Sequence, residues 1–474
     1  MLFNSFLFLI FFLLVYLIYH SVKQSYRKYV LYFSSIIFYG SWDIINFDSV
    51  LPKFLIHFLL AISINYIFIL FIRKSEGSRR LIFFATIITL NLLNLGFFKY
   101  FYFATEIFGI IIGSADLKKE MMEKFPIILP IAISFYTFQI IAFVVDEYKN
   151  KIPPTTSYLD FSIFILFFPQ QLAGPILRAS DFLPQLNKQT ELTDEKITDG
   201  ISLIGLGLIK KVILADSMAF LLDPVFANPS AYQGKALLCA MFGFFFQLWG
   251  DFSGYSDIAR GCGKLLGFDL AKNFTGPIFS QSFKEMWSRW HITLSSFLRD
   301  YVYFSLGGNR GSAFRTEFNG MITMLIAGIW HGAGWNFVLW GLLVGGSLSL
   351  ERLVLDKFAF WKDSQTLFAR IFRFIILGLF FSVLSFIFRI RGLSDIPIFM
   401  AKLNIFNSGQ KILYENFFYL SILFYILQYL EFNPDFIKNK IQKPVRWILP
   451  ISVVLLFAVS SLSNRQVQFF YFQF

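Results

Sequence analysis

Histidine is scarce in this chain of 474 residues, which has only His20, His57, His291 and His331. Imidazole is the side chain that takes up and returns a proton near neutral pH, so general acid–base chemistry has few places to sit. His331 lies in MITMLIAGIWHGAGWNFVLWG, near the middle of an apolar run. An ionisable group at membrane depth is expensive unless it faces a cavity or a partner, which marks it as a functional candidate. Gly328, Gly332 and Gly334 remove bulk on both sides of it and let a substrate or another backbone approach closely. The plainer alternative is a neutral histidine bridging two helices by hydrogen bonds.

His291 sits in MWSRWHITLSSFLRDY, where helical spacing predicts Trp287, His291, Ser295 and Leu298 on one face. Its neighbours Arg289, Arg299 and Asp300 imply the cytoplasmic or interfacial end of a helix. It either orients the first histidine, holds a polar substrate group, or serves as a structural hydrogen-bond donor. His20 closes the first apolar segment beside a basic loop and His57 opens the third, so both read as interfacial side chains. Asp251, Ser253, Ser256 and Asp257 form a polar string with two carboxylates but without EF-hand or zinc spacing. The two cysteines, Cys239 and Cys262, have no ligand spacing, so no disulfide framework or metal site is expected. Phosphate-loop and nucleophile-elbow motifs are absent, and with them any sign of bound ATP.

The elements that must position these residues are membrane helices. Hydrophobic residues make up 56% of the chain and charged ones 15%, and the mean hydropathy is +0.61; a soluble domain is excluded on that balance. Apolar segments at about 2–20, 29–42, 54–72, 81–98, 127–145, 199–220, 234–250, 318–340, 367–390, 415–432 and 446–463 predict an all-α polytopic protein with about eleven transmembrane helices. The apolar stretch 158–176 is interrupted by Pro169, Gly174 and Pro175 and reads as re-entrant or interfacial. Glycines at 250, 254, 261, 263 and 267 argue against one ideal helix there and for short helices. The first segment lacks a signal-peptide pattern and reads as a retained span. Basic clusters follow spans one and three, which puts the N-terminus outside and, with eleven spans, the C-terminus in the cytoplasm. The net charge of +12 lies in such loops, where it meets anionic lipid rather than nucleic acid.

Seven strings occur in order along the chain: FYGSWD at 38–43, NLGFFKYFYF at 94–103, LPIAISFYTFQIIAFVVDEY at 129–148, FFPQQLAGPILR at 167–178, DFSGYSDIARG, WSRWHITLSSFLRDYVYFSLGGNRG and IWHGAGWNFVLWG. With two histidines about forty residues apart, they make the sequence closely resemble bacterial membrane-bound O-acyltransferases, in the branch that includes the alginate O-acetylation membrane protein. The resemblance runs roughly from Phe38 to Leu350 and implies a single membrane domain over 1–474 with the fold of that family. It implies that His331 matches the family's principal catalytic histidine and His291 its second.

It further implies a protein of the bacterial inner membrane with no tightly bound cofactor. Acetyl-CoA, or another acyl thioester, is the expected donor at the cytoplasmic mouth, and an extracytoplasmic polysaccharide the acceptor. No transferase domain is fused to the chain, so a separate SGNH-like acetyltransferase and the cell-envelope polysaccharide machinery are the expected partners. In the mechanism that follows, His331 takes the acceptor's proton while His291 or Asn336 positions a reacting group. Trp330, Arg289, Arg299, Asp300 and Arg310 are supporting residues, the arginines as phosphate contacts or as ordinary membrane anchors. The alternatives are transfer of D-alanyl or another acyl group to an envelope polymer, and a transporter, which would show paired broken helices in two halves.

Overall fold

A computed structural model describes residues 1–47, 52–114, 116–172, 174–188, 192–404 and 406–433, together with 453, 455 and 456. Among them every regular element is a helix. Among the described residues five helices are long and apolar enough to cross a membrane: Lys53–Lys74, Gly77–Ile112, Gly234–Leu265, Trp335–Lys357 and Leu367–Arg389. Apart from 453, 455 and 456, the expected span at 446–463 lies outside the described residues. The chain divides into two compact units, Met1–Ile204 with Ile258–Ala271, and Gly205–Asp257 with Lys272–Phe474.

In the first unit, α1 (Phe6–Ser21), α2 (Gln24–Phe47), α3 (Lys53–Lys74), α4 (Gly77–Ile112) and α5 (Ile133–Tyr148) correspond to five expected spans. The segment read as re-entrant begins with a nine-residue helix, α6 (Tyr158–Leu166), opened by a capping box between Ser157 and Asp160. Beyond it Phe167 and Phe168 are fully buried outside any helix. Gln170 there donates to Gln139 Oε1 at 3.0 Å, as non-helical polar groups at such depth must find partners within protein.

Two helices cross the boundary between the units. Asp194–Leu208, α7, runs on through a π-helical turn at Ile209–Ala215. Gly234–Leu265, α8, is an unbroken helix of 32 residues, and it corrects the expectation of short helices through the glycine-rich stretch. Its glycines mark close approach to a neighbouring backbone rather than breaks. A Cβ on Gly254 would stand 2.7 Å from Gly207 O, and one on Gly261 would stand 2.6 Å from Gly200 O.

The second unit holds two short helices, α9 (Phe283–Arg289) and α10 (Ile292–Phe297), and then α11 (Ala313–His331), α12 (Trp335–Leu353), α13 (Leu367–Arg389) and α14 (Tyr414–Phe432). The apolar run at 318–340 is therefore not one span with a histidine inside it. The helix ends at His331, extended backbone at Gly332 and Gly334 turns the chain, and α12 returns alongside. Small residues hold the two limbs together: a Cβ on Gly328 would fall 2.2 Å from Phe337 O, and one on Gly341 2.6 Å from Met324 O. Hydropathy is continuous across the turn, so a window average reads two helices as one.

Candidate functional site

The site lies within the second unit. His331 is the last residue of α11 and is 4% exposed. Three rings pack against its imidazole, with centroids at 5.0 Å for Trp330, 5.0 Å for Trp340 and 5.1 Å for Phe388. Beside it lies a cavity of about 20 Å³ lined by Trp287, Trp290, Trp340, Phe381 and Ser385 among others, too small in this conformation for more than a water molecule. Of the glycines beside the histidine, Gly328 admits another backbone, a Cβ there falling 2.2 Å from Phe337 O. Phe337, rather than a substrate, fills the space over Gly332, where a Cβ would stand 2.0 Å from its ring.

His291 is 1% exposed and does not continue a helix. The single helical face expected for Trp287, His291, Ser295 and Leu298 is broken at the histidine, whose φ of 42° and ψ of 55° place it in the left-handed region between α9 and α10. A non-glycine residue there is strained, and such strain persists only where its surroundings fix it. Asn273 does much of that fixing: its carbonyl accepts from Ile292 N–H at 3.0 Å and its Oδ1 from Thr293 Oγ1 at 2.7 Å. The His291 ring meets Phe252 edge-on at 4.6 Å, and neither of its nitrogens has a hydrogen-bond partner among the described residues. Burial pushes its imidazole down to about 3, so it is neutral at physiological pH.

Trp330 connects the two histidines, its ring 6.3 Å from that of His291 and 5.0 Å from that of His331. Asn336, expected to position a reacting group, spends its amide on structure. Its Nδ2 donates to Ile387 O at 3.3 Å and Ile390 O at 3.1 Å, satisfying carbonyls at the end of α13 and tying that end to the start of α12. By the same contact it holds Phe388 against His331.

A second and larger opening, about 650 Å³, lies at the other end of the same hairpin. Its wall includes Gly320, Thr323 and Met324 of α11, Gly345 and Arg352 of α12, the cations Lys284, Arg299, Lys362 and Arg373, and the carboxylates Glu285, Glu351 and Asp356. Met324 is seven residues from His331, about 10 Å along the helix at 1.5 Å per residue. Among the expected arginines only Arg299 lines this opening, and Asp300 holds its guanidinium, Nε to Oδ1 at 2.7 Å. Arg289 is spent on Glu285 at 2.9 Å and Thr275 O at 3.0 Å. Arg310 is exposed and contributes a turn, its N–H donating to Gly307 O at 3.3 Å. Lys284 and Lys362 are exposed and have no ion pair among the described residues. Arg373 is 2% exposed and holds the rim, donating to Trp361 O at 2.6 Å and Ser364 O at 2.7 Å.

Sequence reasoning missed a buried ionic cluster nearby. Lys210 and Lys211, both with no exposed surface, stand on the π-helical turn. Lys210 Nζ reaches Asp257 at 2.7 Å and Glu431 at 2.5 Å, and Lys211 Nζ reaches Asp216 and Asp251, each at 2.7 Å. The two carboxylates of the DFSGYSD string are thus partners of these lysines. The signal was present, since two lysines inside the apolar run LIGLGLIKKVILA are as costly as a histidine in one.

His20 donates through Nε2 to Leu265 O, 2.9 Å away, and packs on Tyr16 and Tyr19. His57 pairs with Asn94 Oδ1 at 2.9 Å. Among the described residues no group of three or more metal-ligating side chains comes together.

The family model for membrane-bound O-acyltransferases matches residues 149–393, which include both histidines and both openings. A protein of Pseudomonas aeruginosa named as an alginate O-acetylase is 39% identical over 74% of this chain and 66% of its own length. A peptidoglycan O-acetyltransferase of Helicobacter pylori is 32% identical over all of this chain and 98% of its own. A teichoic acid D-alanyltransferase of Streptococcus thermophilus is 28% identical over 48% of this chain and 58% of its own.

Proposed function

Because the chain belongs to the membrane-bound O-acyltransferase family, we propose that it moves acetyl groups from cytoplasmic acetyl-CoA to an extracytoplasmic polysaccharide, with His331 as the general base. The observation that carries this reading is the division of the α11–α12 hairpin into a closed aromatic end holding His331 and a wide charged end about 10 Å away. Thioester transfer needs both. Water must be kept from the acyl group where it reacts, and the anionic nucleotide of the donor must be met where it enters.

Arg310 before α11, Arg315 in its first turn, and Lys357 and Lys362 after α12 favour a cytoplasmic position for the charged end by the positive-inside rule. The donor nucleotide rests there against Lys284, Arg299 and Lys362 while its thioester arm extends along the hairpin. Side-chain movement in the aromatic cage admits the acyl group. The neutral imidazole of His331 takes the acceptor hydroxyl proton as the oxygen attacks the thioester carbonyl; when the tetrahedral adduct collapses, the carbon–sulfur bond breaks and the proton passes to the departing thiolate. His331 ends a helix whose C-terminus carries partial negative charge, a setting that suits a ring becoming cationic in the transition state. Neutral His291, reached through Trp330, lends a nitrogen to the reacting groups.

The end-to-end similarity to the peptidoglycan enzyme makes peptidoglycan the first acceptor to test, with delivery completed by a separate SGNH-like acetyltransferase. Reconstituted protein is given acetyl-labelled acetyl-CoA together with the co-expressed partner or glycan. Wild type transfers label covalently, whereas His331→Ala does not, although it purifies from the membrane with an unchanged thermal midpoint. Wild-type acylation by that variant removes the base assignment, and label that crosses the bilayer without covalent transfer makes the protein a transporter.

A further inference from the structure

We infer that Glu431 is a positioning residue for acyl transfer, acting on His291 through a strap of main chain at residues 273–278. The strap is held on two sides. On one, Thr275 N–H donates to Arg289 O at 3.2 Å, Asn273 O accepts from Ile292 N–H at 3.0 Å, and Asn273 Oδ1 accepts from Thr293 Oγ1. These three residues, 289, 292 and 293, enclose the strained backbone of His291. On the other side lies α14. Glu431 Oε2 accepts from Gly276 N–H at 2.9 Å, and Gln428 Oε1 from Ile278 N–H at 3.4 Å. Gly276 has φ of +64°, and a Cβ there would stand 2.7 Å from Phe432 Cβ and 2.8 Å from Gln428 O, so the strap lies directly on the helix.

Glu431 is itself fixed from behind. Its Oε1 accepts from Lys210 Nζ at 2.5 Å and Ser253 Oγ at 2.9 Å, and Lys210 is anchored in turn by Asp257 at 2.7 Å. A carboxylate with both oxygens engaged on different elements transmits position. The His291 ring has no hydrogen bond of its own among the described residues, so its placement is set by the backbone and by ring packing, and the strap is what fixes that backbone. The buried lysine and carboxylates thereby gain a reason to be retained at a depth where they are costly.

Glu431→Gln is the sharpest test, because the amide keeps the size of the side chain and leaves Lys210 its partner Asp257. Turned with its oxygen toward Lys210, the amide offers Gly276 N–H another donor; turned the other way, it offers its NH2 group to Lys210. One arm of the link is lost either way. The inference rests on His291 serving transfer, and His291→Ala tests that separately.

The expected result is a fall in kcat on the order of tenfold to a hundredfold with the KM for acetyl-CoA unchanged, no further fall when Glu431→Gln is combined with His291→Ala, and a moved His291 signal among the four histidines in 15N spectra of imidazole-labelled protein. Asn273→Ala, which removes the side-chain hold on Thr293 at the other side of the strap and leaves its main-chain bonds in place, gives the same pattern in smaller measure and decides the matter if Glu431→Gln does not fold. Losses that multiply with His291→Ala, or an unmoved His291 signal, overturn the role of Glu431. Wild-type turnover by His291→Ala alone overturns instead the reading on which it rests.

Discussion

The two ends of the α11–α12 hairpin are built from the same pair of helices and have little else in common. At the turn, His331 is enclosed by Trp330, Trp340 and Phe388 beside about 20 Å³ of free space. At the open end, Lys284, Arg299, Arg352 and Lys362, interspersed with Glu285, Glu351 and Asp356, line about 650 Å³. The contrast is one of dielectric environment. A proton transfer beside a hydrolysable thioester is protected where water is absent, and a hydrated polyphosphate is met most cheaply where side chains keep their own hydration. The hairpin keeps these incompatible environments on one rigid support.

Removing the histidine should separate the two ends most fully. His331→Ala is expected to lower kcat by roughly 10²- to 10⁴-fold, the range for a general base, while equilibrium binding of CoA, measured by calorimetry, stays unchanged. A parallel loss of CoA affinity would show that the ends are not independent.

Next in size is Gly328→Ala. The added Cβ falls 2.2 Å from Phe337 O and 3.0 Å from Gly341 Cα, against backbone that cannot swing away. The limbs must part near the turn, at a cost of about 1–3 kcal/mol, visible as a lowered thermal midpoint and a lower kcat together. A stable variant with full activity would mean that the tight crossing does not position His331.

His331 stood out from sequence because an ionisable group in apolar surroundings is costly whatever the fold, and His291 because histidine is scarce and this one sits in an aromatic, arginine-containing segment. The meaning of the glycines did not. Gly254 and Gly261 looked like helix breakers yet lie within the 32-residue α8, while the chain does turn at Gly332 and Gly334, inside a run that read as one span. A glycine permits a break, a turn or a close crossing, and the partner across from it decides which; those partners are the backbone at Gly207 and Gly200 for the two in α8 and the Phe337 ring for Gly332. Lys210 obeys the rule that exposed His331 but was hidden in a hydropathy average, and its partners Asp257 and Glu431 are 47 and 221 residues away. Asn336 was read as chemical because of its neighbours, and only tertiary structure shows its amide on the carbonyls of Ile387 and Ile390. The large opening is assembled from α9, α11, α12 and the start of α13, with no contiguous motif to announce it.

The charged end is the gentler target. Lys284→Gln with Lys362→Gln is expected to raise the KM for acetyl-CoA about threefold to tenfold with kcat unchanged, as exposed charges each contribute up to about 1 kcal/mol. The difference should shrink as ionic strength rises. A salt-independent defect, or one in kcat, would place these lysines in a different role.

The smallest effect carries the comparison to a single atom. Gly320 lines the large opening on the same helix as Gly328, and nothing lies within 4 Å of where its Cβ would be. Alanine there clashes with nothing, and removing a glycine from a helix interior reduces the freedom of the unfolded chain, so Gly320→Ala should stabilise by roughly 0.5–1 kcal/mol. The same substitution eight residues further along destabilises, so the pair reads packing along one helix with composition held constant. Transfer kinetics should be untouched unless the new methyl group meets the bound donor, in which case KM rises and kcat does not. Destabilisation by both alanines would show that the open end is closed by packing in solution, and the hairpin would then lack the wide end through which the donor enters.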